Sequence, residues 1–86
     1  MPTARPDAVL ALLRAAAAGP RRETLGTMAS RAGLSYATAR RALDEATVAG
    51  WMRSADADIA PGRHLHWEVT EEGYRHLAAL LAGRAG

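Results

Sequence analysis

The stretch from Ser30 to Trp51, SRAGLSYATARRALDEATVAGW, constrains the fold more than any other part of this chain. Gly33 marks a tight turn, and Ser35 is a residue type that caps the first turn of a helix. The residues after Ser35 keep a helical period until Gly50, a residue type suited to the left-handed conformation that ends helices. The stretch therefore predicts the end of one helix, a short turn, and a second helix over residues 36–49.

The period of this second helix identifies its buried side. Mostly small apolar residues recur at spacings of three and four and form one stripe toward a core: Ala39, Ala42, Leu43 and Ala46. Arg40, Arg41 and Asp44 fall on the opposite side, flanked by Tyr36 and Thr38 in the first turn. A guanidinium donates two parallel hydrogen bonds to guanine O6 and N7, so paired arginines on such a face suit base recognition. They equally suit a solvated face with weak ion pairs to acids four residues on, and this pattern alone leaves both interpretations open.

Size and composition fit one small domain. The 86 residues allow a modest core but not a two-domain enzyme. Apolar residues make up 49% of the chain, but many are alanine and Phe is absent, so a few large side chains must supply most of the burial. We expect these to be Leu10, Leu13, Leu25, Leu43, Trp51, Trp67, Tyr74, Leu77 and Leu81.

The distribution of charge says more than the net charge of +2. Residues 21–41 hold five arginines and one acid, a local charge of +4. Residues 56–72 hold five acids and one arginine, a local charge of −4. A field this uneven orients a polyanion toward one side of the molecule.

The first half of the chain contains two more helical patterns. Asp7 is predicted to cap a first helix that Gly19-Pro20 ends. Thr24 is predicted to cap a second helix that ends near Ala32 and turns Arg31 outward. The inward residues of these two helices are Val9, Leu10, Leu13 and Ala17 in the first, and Leu25, Met28 and Ala29 in the second.

After Gly50 the apolar period changes from 3.6 to 2, which predicts a β-hairpin. Its loop of about eight residues, 56–63, carries the turn signal Pro61-Gly62. The second strand is expected to bury Leu65, Trp67 and Val69. Thr70 is predicted to cap a final helix whose inner stripe is Tyr74, Leu77, Ala78 and Leu81.

The predicted fold is thus α+β, mainly α, with three helices, a two-stranded hairpin and a C-terminal helix in the order α-α-α-β-β-α. We expect a flexible N-terminal arm over residues 1–6, one domain over residues 7–82, and a flexible tail over residues 83–86.

Three stretches carry a resemblance to a known family: TLGTMASRAGLS, YATARRALDEATVAGW and HLHWEVTEEGYRHLAALL. Together they make the chain similar, from Asp7 to Leu81, to winged helix-turn-helix domains of small bacterial and archaeal DNA-binding regulators. The resemblance implies that the helix over residues 36–49 enters the major groove of DNA. It also implies that Ser35, Tyr36, Thr38, Arg40 and Arg41 face that groove, while Arg63 in the hairpin loop lies near phosphate or the minor groove. The loop departs from the pattern with two acids, Asp56 and Asp58, which weakens the expectation of strong binding there.

The resulting hypothesis is sequence-specific binding of double-stranded DNA, with Arg21, Arg22, Arg31 and Arg63 neutralising phosphates. The protein would be a small transcriptional regulator, or the targeting domain of a plasmid, phage or chromosome DNA-processing or translocase system. Tyr36, Ala39 and Arg40 are similar to residues in the DNA-reading tail domain of bacterial DNA translocases. We expect a cytoplasmic protein, nucleoid-associated when bound to DNA, with no membrane association and no signal peptide.

Other classes of function are also open. A winged helix can act as a protein–protein interaction module without DNA binding, and Leu80, with Ala79 and Ala82, forms a second apolar edge where the final helix could form a homodimer. His64 and His66 share a strand face and could bind a metal with help from Asp56, Asp58 or His76.

We expect no enzymatic activity, because no nucleophile has an evident base and no glycine-rich phosphate loop is present. The chain has no cysteine, so disulfides and thiolate metal sites are excluded. We expect no cofactor and no small-molecule ligand.

Overall fold

The computed structural model describes residues 6–56 and 65–85. The elements are α1 (Pro6–Ala18), α2 (Leu25–Ala32), α3 (Tyr36–Val48), β1 (Met52–Ser54), β2 (Trp67–Val69) and α4 (Glu71–Ala85). The predicted α-α-α-β-β-α order and the mainly helical α+β class are confirmed. Most of the predicted arm, residues 1–5, lies outside the described residues, and α4 continues past residue 82, where the domain was expected to end.

Side-chain caps and positive-φ glycines set the boundaries of α2 and α3. Thr24 Oγ1 accepts a hydrogen bond from the Thr27 amide at 3.3 Å, and Ser35 Oγ accepts one from the Thr38 amide at 3.2 Å. Gly33 between the helices has a φ of 71°, in the left-handed region that glycine adopts without steric cost. These contacts confirm the predicted caps and the short turn between the two helices.

The start of α1 differs from the prediction. The helix begins at Pro6, so Asp7 lies within its first turn and does not cap it. Proline is well suited to this position because its fixed φ is helical and its missing N–H would have no partner there.

The core lies where α1 crosses α2 and α3. The predicted stripe on α3, Ala39, Ala42, Leu43 and Ala46, is completely buried, and its small side chains let the helices approach closely. The largest fully buried side chains are Leu12, Leu13, Met28, Leu43 and Met52. The single apolar stripe predicted for α1 omits Leu12, because α1 is in fact buried around much of its circumference.

The predicted inner face of α4 is correct at Leu77 and wrong at Tyr74, Ala78 and Leu81. Tyr74 is 47% exposed and Leu81 is 39% exposed, whereas Leu77 is buried and Leu80 packs against the core. The reason lies at Gly73, where a Cβ atom would clash with the carbonyl oxygen of Trp51. Glycine lets the start of α4 rest directly on that backbone, and this contact sets the rotation of the helix.

Two further contacts hold α4 in this orientation. Thr70 Oγ1 accepts a hydrogen bond from the Gly73 amide at 3.0 Å, which confirms the predicted cap, and donates one to the Gly50 carbonyl at 2.6 Å. His76 stacks on Trp51 with ring centroids 3.6 Å apart and planes 12° apart. The start of α4 is therefore fixed to the turn that follows α3.

β1 and β2 pair antiparallel, with Met52 opposite Val69, Arg53 opposite Glu68, and Ser54 opposite Trp67. Trp67 and Val69 pack against the core as predicted, but Leu65 is 56% exposed, contrary to expectation. This pairing leaves Arg53 and Glu68 on the sheet face turned away from the helices.

Glu23, just before α2, also pairs with this sheet, a contact that the sequence did not predict. Its amide donates to the Trp67 carbonyl at 3.2 Å, and the Trp67 amide donates to the Glu23 carbonyl at 2.8 Å. The hairpin is thereby attached to the beginning of α2. Among the described residues, no helix is both long and apolar enough to cross a membrane.

Candidate nucleic-acid interface

The outer face of α3 presents the side chains that the sequence assigned to base recognition. Tyr36 is 62% exposed, and Arg40 and Arg41 are both exposed. Ser35 and Thr38 lie at the start of the helix, where the Ser35 hydroxyl donates to Thr38 Oγ1 at 2.9 Å. These two hydroxyls therefore take part in the cap of α3. The longer side chains of Tyr36, Arg40 and Arg41 extend farther from the helix.

Arg40 and Arg41 differ in their partners. Arg40 Nε lies 3.4 Å from Asp44 Oδ1, one helical turn away, and both side chains are more than half exposed. Such an exposed pair contributes little free energy and is easily exchanged for another anion. Within residues 6–56 and 65–85, Arg41 forms no ion pair. Arg41 is therefore the arginine of this face whose donors are available to a ligand.

Arg31 remains exposed on α2, as predicted, but its guanidinium is already bound within the protein. Its Nη1 donates to the Ala15 carbonyl at 2.8 Å and to Glu23 Oε1 at 2.7 Å, while Nη2 donates to Glu23 Oε2 at 2.6 Å. Glu23 is only 5% exposed, and its hydrogen bond raises the pKa of Arg31 above its already high ordinary value. A buried carboxylate needs a paired cation, so Arg31 is committed to the fold.

Arg21 and Arg22 lie beside the sheet, where both approach the carboxylate of Glu68. Arg21 Nε is 3.5 Å and Arg22 Nε is 3.9 Å from Glu68 Oε1. A third arginine, Arg53, reaches Glu68 Oε2 with its Nε at 3.1 Å. The sequence does not predict this position of Arg53, because its neighbour across the hairpin depends on the strand register.

Asp56, at the start of the hairpin loop, is bonded to the residues where the loop ends. Asp56 Oδ2 accepts hydrogen bonds from the amides of Leu65 at 2.7 Å and His66 at 2.6 Å, and Oδ1 lies 3.1 Å from His66 Nδ1. The backbone hydrogen bond from His66 is the main cause that lowers the pKa of Asp56. The carboxylate of Asp56 therefore joins the beginning of the loop to its end at Leu65 and His66. Arg63, the predicted loop contact to DNA, lies outside the described residues.

The described residues give no support to the metal hypothesis. Within the described ranges, no group of three or more histidines and acids could hold an ion. His66 pairs with Asp56 and His76 stacks on Trp51, so the two do not converge. His64 and Asp58 belong to the part of the loop that the structure does not describe.

The structure thus places the predicted residues in two groups, one on α3 around Arg41 and one beside the sheet around Glu68. Arg31 belongs to neither group. Comparisons with protein-family models, with curated proteins and with solved structures found no match to this chain.

Proposed function

We propose that this chain is a winged helix-turn-helix domain that binds double-stranded DNA in a sequence-specific manner. The main support is the two-sided character of α3, which buries one face completely and exposes Arg41 and Tyr36 on the other. A helix packed this firmly presents its outward arginines from a fixed backbone, as base recognition requires. The side-chain cap at Ser35 fixes where the helix begins.

The residues of α3 have different roles in this proposal. Arg41 reads guanine in the major groove through its planar fork. Arg40 is a second reader, which must first exchange its weak pair with Asp44 for a base or phosphate. Tyr36 contacts the DNA backbone or a base edge beside them.

Phosphate contacts complete the proposed interface. Arg21 and Arg22 bind phosphates from beside the sheet, and Arg63 does so from the hairpin loop. Arg31 is left out of the proposal because its guanidinium is already bound to Glu23 and Ala15. In the cell, the protein would act in the cytoplasm on the nucleoid, as a small transcriptional regulator or as the targeting domain of a DNA-processing or translocase system.

Selection from a random pool of duplex oligonucleotides at moderate salt tests this proposal. The folded chain should enrich one motif, and the symmetry of that motif would show whether one or two copies bind. Failure of the folded chain to retain any duplex, even at low salt where phosphate contacts are strongest, would refute the proposal.

A second candidate function, protein–protein interaction through α4, has its own support. Tyr74, Ala78 and Leu81 recur at helical spacing along one face, and Tyr74 and Leu81 are the large apolar residues that the structure leaves exposed there. This face, rather than the predicted edge that contains Leu80, would pair with a second copy. A symmetric dimer would read half-sites about one DNA turn apart.

Sedimentation analysis of two charge substitutions tests the dimer. Leu81→Glu should yield monomers, whereas Ala79→Glu, on a different side of α4, should leave the dimer intact. A wild-type chain that sediments as a monomer at high concentration would exclude this role for the α4 face.

A further inference from the structure

A cavity of about 390 Å³ lies between α1, α3 and α4. Its apolar wall comes from three parts of the chain: Val9 and Leu10 of α1, Trp51 between α3 and β1, and Leu80 of α4. Val9 and Leu10 are buried, whereas Trp51 and Leu80 are half-buried. Binding sites for small molecules begin at about 300 Å³ and have mainly apolar walls, so this cavity has the size and the lining of such a site.

Two acids also line this cavity. Asp7, in the first turn of α1, is exposed, and Glu45 of α3 is half-buried. Within residues 6–56 and 65–85, neither side chain forms an ion pair or a hydrogen bond. No arginine in this part of the chain lines the cavity. The acids therefore give the cavity a negative character, although the chain as a whole has a net charge of +2.

His76 lines the same cavity and holds one of its walls in place. Its ring stacks on Trp51, with the centroids 3.6 Å apart and the planes 12° apart. The indole is thereby fixed between α4 and the turn that follows α3. An aromatic ring in a fixed position favours an aromatic ligand, because rings attract one another in offset and edge-to-face arrangements.

We propose that this cavity binds a small organic cation with an aromatic body. The apolar wall removes the body from water, and the carboxylates of Asp7 and Glu45 accept charge-assisted hydrogen bonds from the positive group. The sequence did not predict such a ligand, because the residues of the cavity come from separate segments. This inference goes beyond the proposed DNA binding and does not depend on it.

Titration of the folded chain with tryptamine, followed by NMR chemical shifts, tests the proposed site. Tryptamine joins an indole ring to an ammonium group through a short linker. It should shift the signals of the Trp51 indole and of the Leu10 and Leu80 methyl groups, and saturate with a Kd of about 1 mM. Indole-3-propionate, which carries a carboxylate in place of the ammonium group, should bind at least about tenfold more weakly.

Substitutions of the acids test the source of this selectivity. Glu45→Gln should weaken tryptamine binding by about threefold, and its combination with Asp7→Asn should weaken it by about tenfold. Glu71→Gln is the matched control, because it makes the same change in net charge at a residue of α4 that is 85% exposed and pairs with Arg75. This control should leave the affinity for tryptamine unchanged. Thermal unfolding of each variant establishes that it is folded at the assay temperature.

Three results would overturn the inference. The first is a folded chain whose cavity signals do not shift with tryptamine at about 10 mM, ten times the expected Kd. The second is equal affinity for tryptamine and indole-3-propionate, since the acids would then select no charge. The third is equal weakening by Glu45→Gln and Glu71→Gln, which would indicate a general attraction to the protein. None of these results bears on the selection of duplex DNA, so the proposed function stands or fails separately.

Discussion

The guanidinium of Arg31 and the carboxylate of Glu23 form a two-point ion pair, with N–O distances of 2.7 and 2.6 Å. The pair packs directly against Gly19, where a Cβ atom would clash with both side chains. A third hydrogen bond joins Arg31 to the Ala15 carbonyl of α1 at 2.8 Å. One arginine thus connects the end of α1, the segment before α2, and α2 itself.

Replacing the acid of this pair should destabilise the fold. Glu23→Gln removes the charge of a residue that is 5% exposed and leaves one of its hydrogen bonds without an ideal partner. We expect the free energy of unfolding to fall by about 1–3 kcal/mol in urea denaturation. Glu71→Gln, which alters an exposed pair with Arg75, should change it by less than about 0.5 kcal/mol. Equal costs for the two variants would contradict the structural role given to Glu23.

Adding a methyl group at Gly73 should also destabilise the fold. In Gly73→Ala the new Cβ atom meets the Trp51 backbone and the Val69 side chain, so α4 must move. We expect a loss of about 1–3 kcal/mol in the free energy of unfolding, because the backbone cannot yield as a side chain can.

Gly26 provides a matched control for that substitution. It lies in α2 with no atom within 4 Å of an added Cβ. Gly26→Ala should therefore raise the free energy of unfolding by up to about 1 kcal/mol, since alanine loses less entropy in a helix. Destabilisation by both variants would indicate that the contact at Gly73 is not the cause.

The base of the hairpin loop should open in acid. The pKa of Asp56 is lower in the folded state than its ordinary value of 3.8, so its stabilising effect is complete above that value and is lost as the pH falls below it. Hydrogen exchange at the Leu65 and His66 amides, which donate to Asp56, should accelerate relative to other amides as the pH is lowered through this range. Asp56→Asn should remove most of this pH dependence. An unchanged pH profile in the variant would exclude Asp56 as the titrating group.

Base reading by Arg41 predicts a selective loss of affinity. Arg41→Ala should cost about 1–3 kcal/mol on the selected duplex and relax the preference at one base position. Arg22→Ala, which removes a proposed phosphate contact, should weaken selected and scrambled duplexes alike. Competition binding with both duplexes provides the measurement. Equal weakening of both by Arg41→Ala would refute its assignment to base reading.

The elements that sequence analysis located correctly are those with one dominant local signal. The stripe of α3 has a single helical phase, and Thr24, Ser35 and Thr70 each lie immediately before a helix, where their hydroxyls accept hydrogen bonds from its first turn. α4 offered two apolar stripes of similar strength. The choice between them depends on Gly73 resting on Trp51, a contact between elements that the periodicity of α4 alone does not reveal.

In the candidate site, too, local periodicity predicts some side-chain positions, and contacts between distant segments determine the others. The exposure of Arg40 and Arg41 follows from their positions on α3 and could be predicted from the period of that helix. The pairing of the Arg31 guanidinium with Glu23 could not, because Glu23 is buried by its contact with Trp67, far along the chain. The position of Arg53 beside Glu68 likewise required the register of the hairpin.

The pairing of Glu23 with Trp67 has a consequence for how the molecule unfolds. Both amides are bonded across a contact that links the helical half of the chain to the hairpin, so neither can exchange its hydrogen by fraying of the hairpin loop alone. β2 and the start of α2 should therefore open together as one cooperative unit. A displacement of the hairpin would then be transmitted directly to α2.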